Sequence, residues 1–131
     1  MKLFNRSILL VTIVIQLTAC ESNYGDVVIR DGVQVYYLEP VKKSQAIQLA
    51  DYWMDKELSS KNMQYLQLSE SSGILHLKMI ANDSTFLVEI PFDVQLELAK
   101  LDSMLNHDLF PERDLELFVS DKTFTKTKQI F

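Results

Sequence analysis

The chain has 131 residues, 13 Lys and Arg against 18 Asp and Glu, one Cys, three Gly, three Pro and 47% apolar residues. That length predicts one domain, because chains divide only beyond roughly 200 residues. A net charge of −5 opposes a nucleic-acid partner, which needs clustered positive charge to displace counterions, and a single Cys excludes an internal disulfide or a multi-Cys metal site. Few Gly and Pro with near-half apolar content exclude a disordered or collagen-like chain.

Lys2 and Arg6 form a basic start, and Ile8 to Ala19 is an apolar run broken only by Thr12, Gln16 and Thr18. As a helix this run spans about 18 Å, too little for a hydrocarbon core of about 30 Å. A packed soluble helix would carry a polar stripe each turn, and none is present. Basic head, short apolar middle and small residues at the end predict a secretory signal peptide over residues 1–19.

Leu17-Thr18-Ala19-Cys20 resembles the lipobox of bacterial lipoproteins: a Leu, two small residues and a Cys. The resemblance covers residues 1–20. It implies that a diacylglycerol is attached to the Cys20 thiol, that the leader is cut before it, and that the new amine is acylated, with palmitate the familiar chain. Small residues let the extended backbone enter a protease at the membrane surface, Leu17 fills an apolar pocket, and the thiol is the one nucleophile for alkylation. Each buried methylene adds about 0.8 kcal/mol, so two or three chains anchor durably where one does not. In that family an Asp after the Cys signals inner-membrane retention. Glu21 therefore resembles the outer-membrane class, with the protein facing the periplasm.

Loss of Lys2 and Arg6 with the leader leaves 11 basic residues against 18 acidic, a balance of −7. Residues 20–23 read as the lipidated Cys and a short tether, and residues 24–131 as one domain without internal repeats. Asp26 to Arg30 and Val33 to Leu38 are β-rich runs separated by Asp31-Gly32, which suits a type I′ hairpin turn with φ > 0 at both positions. From 44 to 58, Ile47, Ala50, Met54 and Leu58 recur at spacings of three and four with Ala46 and Trp53 alongside, predicting an amphipathic helix that buries Trp53 and turns Lys42, Lys43, Gln48, Asp51 and Asp55 to water. Ser59 to Asn62 ends it.

A second hairpin is expected at 63–81, with Glu70-Ser71-Ser72-Gly73 as its loop. Leu75, Leu77 and Met79 alternate with His76 and Lys78, separating a buried face from a wet one. Asn82-Asp83-Ser84 breaks the pattern, and Phe86 to Ile90 suits either an edge strand or an extended lead-in to the next helix. Pro91 fits a first helical turn, and Val94, Leu98, Leu101 and Leu105 predict a helix to about His107 that Pro111 stops. Leu115, Leu117 and Val119 alternate with Glu116, Phe118 and Ser120 as a last strand, beyond which the basic, Thr-rich Lys122 to Phe131, with Phe124 and Ile130 as docking residues, either extends the sheet or frays. The order β-β-α-β-β-α-β predicts an α+β two-layer sandwich, two helices on one face of an antiparallel or mixed sheet. That order, with Gly32-Val33-Gln34-Val35-Tyr36-Tyr37 before the first helix, loosely resembles small domains of bacterial envelope proteins, a likeness that implies no activity.

Catalytic chemistry finds few residues. His76 falls on the wet side of its strand and His107 at a helix end, without metal-ligand spacing, so both read as surface histidines. No Ser sits in a nucleophile elbow, and three scattered Gly make no phosphate loop. Asp51 and Asp55 lie one turn apart on a solvated helix face. Asp26 and Asp31 suit a strand start and a turn. Asp108, Glu112 and Asp114 surround Pro111 without the spacing of a calcium loop. Tyr36, Tyr37, Trp53 and Tyr65 either line an aromatic groove or pack the core and its margin. Adjacent Tyr36 and Tyr37 point to opposite faces, so one leaves the core and suits a protein interface.

The sequence therefore predicts no catalytic residue, cofactor or metal. It predicts a membrane-anchored envelope lipoprotein, modified at Cys20, acting as a non-enzymatic interaction or accessory module that binds another protein or an envelope component. The alternative is a periplasmic inhibitor or immunity-type lipoprotein whose acidic surface neutralises a basic toxin or lytic enzyme.

Overall fold

The computed structural model describes residues 24–59, 62–81 and 83–130. The leader, Cys20 and the tether lie outside the described residues, as do Ser60, Lys61 and Asn82 of the two predicted breaks. Six strands form one mixed sheet in sequence order: β1 (Asp26–Arg30), β2 (Val33–Tyr37), β3 (Gln64–Ser71), β4 (Ile74–Ile80), β5 (Leu115–Ser120) and β6 (Thr127–Gln129). Helix α1 (Lys43–Asp55) connects β2 to β3, and α2 (Phe92–Met104) connects β4 to β5. The fold is α+β, as the order of elements implied. It adds a sixth strand where the basic tail left the outcome open.

Three antiparallel hairpins, β1–β2, β3–β4 and β5–β6, lie side by side, and each helix makes a parallel crossover between neighbouring hairpins. Pleating sends Val33, Val35, Leu66, Leu68, Leu75, Leu77, Leu115 and Leu117 to one face, where all are buried beneath the helices. Both crossovers step the same way across the sheet, yet β2 and β3 run opposite to β4 and β5. With both helices on one face, the two crossovers must have opposite hand, so one is the left-handed kind that parallel connections rarely adopt.

Two local expectations need correcting. In the Asp31-Gly32 turn only Gly32 takes positive φ, +82°, so it is not type I′. That geometry belongs instead to Ser72-Gly73, at +53° and +79°, which shortens the predicted four-residue loop to two and lengthens β3. In α1 the buried seam is Ala46, Leu49, Ala50 and Trp53, while Met54 is 39% exposed and Ile47 only half-buried. The small side chains of Ala46 and Ala50 let the helix lie close against the valines of β1 and β2, and the seam rotates by about one residue from the predicted stripe.

Helix α1 stops at Asp55 rather than Leu58 because the chain closes a Schellman motif. The Leu58 N–H donates to the Trp53 carbonyl at 3.1 Å and the Glu57 N–H to the Met54 carbonyl at 3.1 Å. Glu57 takes the left-handed position usual for Gly, at φ +52°, a conformation that costs an L-residue roughly 1 kcal/mol. Glu57→Gly is expected to raise stability by about 0.5–1 kcal/mol, less whatever Gly adds to the freedom of the unfolded chain. Chemical denaturation with unchanged m-value checks this, and a lowered midpoint would contradict it.

Phe86 to Ile90 leads into the next helix, but not as extended chain: Phe86 and Leu87 lie in a 3-10 turn and Val88 keeps helical backbone angles. The Asp83 carboxylate accepts from the Thr85 N–H at 2.9 Å and starts a 3-10 turn at Ser84–Leu87, after which Pro91 caps α2. A π-helical turn at Leu105–Leu109 continues α2, and the Asn106 amide both accepts from and donates to the Leu115 backbone, joining that turn to β5.

Candidate functional site

The sheet face opposite the helices carries Tyr36, Gln67, Lys78 and Phe118 in one row across β2 to β5. Two short segments fold over this row. Gly25, at φ +85°, turns the chain back so that the Tyr24 carbonyl accepts from the buried Gln67 amide at 3.2 Å. A Cβ at Gly25 would strike the Tyr37 carbonyl, so only Gly admits this approach. On the other side, the β5–β6 loop lays Phe124 onto the sheet at φ +58°, and the Lys78 ammonium donates to its carbonyl at 3.3 Å. Tyr24, Tyr36 and Phe124 meet edge-on or tilted with ring centroids 5.6–6.0 Å apart, favourable aromatic separations. Beside them opens a groove of about 360 Å³ walled also by Met63, Tyr65 and Ile80, with Lys122 at its rim.

One carboxylate holds the Phe124 loop. Asp121 accepts from the backbone N–H groups of Thr123, Thr125 and Lys126 at 3.0–3.3 Å and from both threonine hydroxyls. Burial alone would raise its pKa, but the Thr125 and Lys126 N–H groups and the hydroxyls outweigh it and hold the carboxyl below its ordinary 3.8. A lowered folded pKa means that the loop gains stability that is complete above the ordinary carboxylate value and is lost as pH falls through the lowered one. Protection of the Thr125 and Lys126 amides, measured against an unstructured peptide at the same pH, is therefore expected to fall below about pH 4, and Asp121→Asn should remove that pH dependence. Protection insensitive to acid in the parent protein would contradict it.

The four aromatic residues singled out in the sequence divide between the layers. Tyr36 and Tyr65 reach the open face, whereas Tyr37 packs against the core and Trp53 is 2% exposed beneath α1. Tyr24 and Phe124 complete the aromatic cluster. The sequence marks Phe124 as a docking residue but neither its place in this cluster nor Tyr24, because both lie outside regular elements, where alternation gives no sign of side-chain direction.

The titratable candidates take separate partners. His76 is half-buried with Nε2 3.7 Å from Glu116 Oε2 and its ring 5.0 Å from Phe118. His107 is exposed on the π-helical turn, its Nδ1 2.7 Å from Asp108 Oδ1, and the Tyr52 hydroxyl donates to Asp108 Oδ2 at 3.0 Å. Those two contacts hold the Asp108 carboxyl down, while burial and the Asp108 hydrogen bond and charge push the Tyr52 phenol up. Among the described residues neither imidazole is hydrogen-bonded to a hydroxyl nucleophile. Asp51 pairs with Arg30 of β1 at 2.8 Å and ties α1 to the sheet edge, and Asp55 is exposed. Asp26 and Asp31 are exposed at the start of β1 and in its turn. Asp108, Glu112 and Asp114 do not converge, and no group of three or more His, Cys, Asp or Glu is placed to hold a metal among the described residues.

A second surface lies on the helix layer. Val88, Phe92 and Leu96, each four residues from the next, are 80%, 73% and 50% exposed, while Glu89, Asp93 and Glu97 follow them one by one and are all exposed. Phe92 and Leu96 stand one turn apart on the same side of α2. The sequence held a sign of this. α2 carries more apolar residues than the single stripe of Val94, Leu98, Leu101 and Leu105 can use, and the surplus faces water. Comparison with protein families, with curated proteins and with solved structures finds no match to this chain.

Proposed function

We propose that the protein is a lipid-anchored lipoprotein of the bacterial envelope whose folded part is a non-enzymatic protein-interaction module. The observation that carries the module is the exposed pair Phe92 and Leu96 on α2, with exposed Val88 in the turn before it and the acidic neighbours Glu89, Asp93 and Glu97. A 73% exposed Phe is a large apolar surface kept in water, and aromatic anchors of this kind supply most of the binding energy at interfaces. The acidic flank favours a partner with an apolar groove and basic margins. Long-range attraction would speed that encounter and salt would weaken it. The anchor rests on Leu17-Thr18-Ala19-Cys20. An inhibitor of a basic envelope enzyme would use the same surface, and the identity of the partner separates the two readings.

Crosslinking in native membranes, followed by mass spectrometry, is expected to return one dominant protein, less of it at high ionic strength. Phe92→Asp should reduce capture by an order of magnitude or more, since losing an aromatic anchor costs about 2 kcal/mol or more. The same substitution should leave stability within about 0.5 kcal/mol, being exposed and placing a carboxylate in the first helical turn. Capture unchanged by Phe92→Asp would overturn the reading. So would hydrolysis of peptide, glycan or ester substrates that vanishes with His76→Ala or His107→Ala.

A further inference from the structure

We propose that the open face of the sheet is the surface the protein lays against the bilayer, an inference that rests on attachment at Cys20. Tyr24 is seated on that face over β2 and β3, beside Leu38 where β2 ends, its carbonyl on Gln67 and its ring on Tyr36 and Phe124. Three residues separate Tyr24 from Cys20, and the four Cα–Cα links reach at most about 14 Å in any conformation. To bring the lipid to the helix side, the chain would have to cross about two strand spacings to the β1 edge, roughly 10 Å, and then pass a helix layer about 10–12 Å thick. That path exceeds the tether. The acyl chains therefore enter the membrane on the open-face side, and the bilayer is the occupant the tether dictates.

The chemistry of the face fits a lipid surface. Ile29 and Val27 of β1 are 56% and 40% exposed on this face, and Met63 and Tyr65 at the groove 39% and 38%, an apolar set with a tyrosine of the kind enriched at membrane interfaces. Lys122 lines the groove, whose walls contain no carboxylate, and so offers an ammonium to lipid phosphates. Asp121 spends its carboxylate on its own loop, and Glu116 lies beside His76. The acidic stripe on α2 is left on the other side of the molecule, directed away from anionic headgroups and available to a partner.

The test uses the full-length protein, matured in cells and reconstituted in vesicles of phosphatidylethanolamine and phosphatidylglycerol with brominated acyl chains, which quench indole fluorescence on contact. Tyr65→Trp and Ile29→Trp place a reporter on the open face and Leu96→Trp places one on the helix side, each read against the parent whose only Trp is Trp53. Quenching at least two-fold stronger at either open-face reporter than at Leu96→Trp supports the orientation, and Lys122→Glu should reduce it. Equal quenching, stronger quenching at Leu96→Trp, or an open-face reporter shielded from water yet unquenched, as under a protein or a second copy, would overturn it. Mass spectrometry of the same sample reports Cys20. Symmetric quenching with Cys20 lipidated defeats the orientation alone, whereas an unmodified Cys20 defeats the attachment on which it rests.

Discussion

Trp53→Ala is expected to lower the stability of the folded domain by about 3–5 kcal/mol, a melting shift on the order of 15 °C. Trp53 is 2% exposed and closes the buried seam of α1. Truncation leaves a cavity between that helix and β1 and β2 which the flanking Ala46 and Ala50 are too small to fill. The same residue supplies the carbonyl that ends the helix in its Schellman motif, so the surrounding backbone is held and relaxes little. Trp53→Phe should cost much less. It retains most of the apolar volume and removes an indole N–H that is buried without a hydrogen-bond partner among the described residues. Circular dichroism melts of the three proteins check this, and a Trp53→Ala melt matching the parent would contradict the packing.

Cys20→Ser is expected to abolish durable membrane attachment. A hydroxyl does not replace the thiol as acceptor of the diacylglycerol, so the lipidated mature form should disappear. Uncut precursor should accumulate, or a product of another peptidase should move to the soluble fraction. With two or three acyl chains, each methylene contributing about 0.8 kcal/mol, the parent should remain with membranes through a salt wash. Fractionation followed by immunoblotting reads the difference, and a Cys20→Ser protein as membrane-bound as the parent would rule out lipid on that thiol.

Much of the fold was legible because the first five strands announce themselves by their β-rich or alternating runs. Leu75, Leu77 and Leu117 go inward while His76, Lys78 and Glu116 go outward, and a turn dipeptide punctuates each of the first two hairpins. What was not legible follows from equally physical causes. The segment from Ala46 to Met54 is apolar on more than one side, so two overlapping stripes satisfy the helical period. The one buried was decided by how closely Ala46 and Ala50 approach the sheet. Thr127–Gln129 has no apolar pattern at all, and it becomes β6 through main-chain bonding to Phe118–Ser120.

Surface features divided in the same way. Tyr36 and Tyr37 had to face opposite sides of a strand, and they do. Phe124 joins Tyr36 only because Asp121 gathers three backbone N–H groups and turns the loop back, a contact among residues whose side chains no periodicity orders. The repetition of hairpin and helix is architectural, with no counterpart in the residues that form it. Each hairpin closes differently: Asp31-Gly32 with one positive φ, Ser72-Gly73 with two, and the Asp121 loop with Phe124 in the left-handed region.

The measurement that bears most directly on the account is the mass of the amino-terminal peptide of the protein isolated from its native membrane. A lipid-anchored module predicts a first residue Cys20 carrying a diacylglyceryl thioether and an acylated amine, followed by Glu21-Ser22-Asn23-Tyr24. An unmodified Cys20, or a chain that still begins with the residues before it, would contradict the anchor and with it the placement of the sheet against the bilayer.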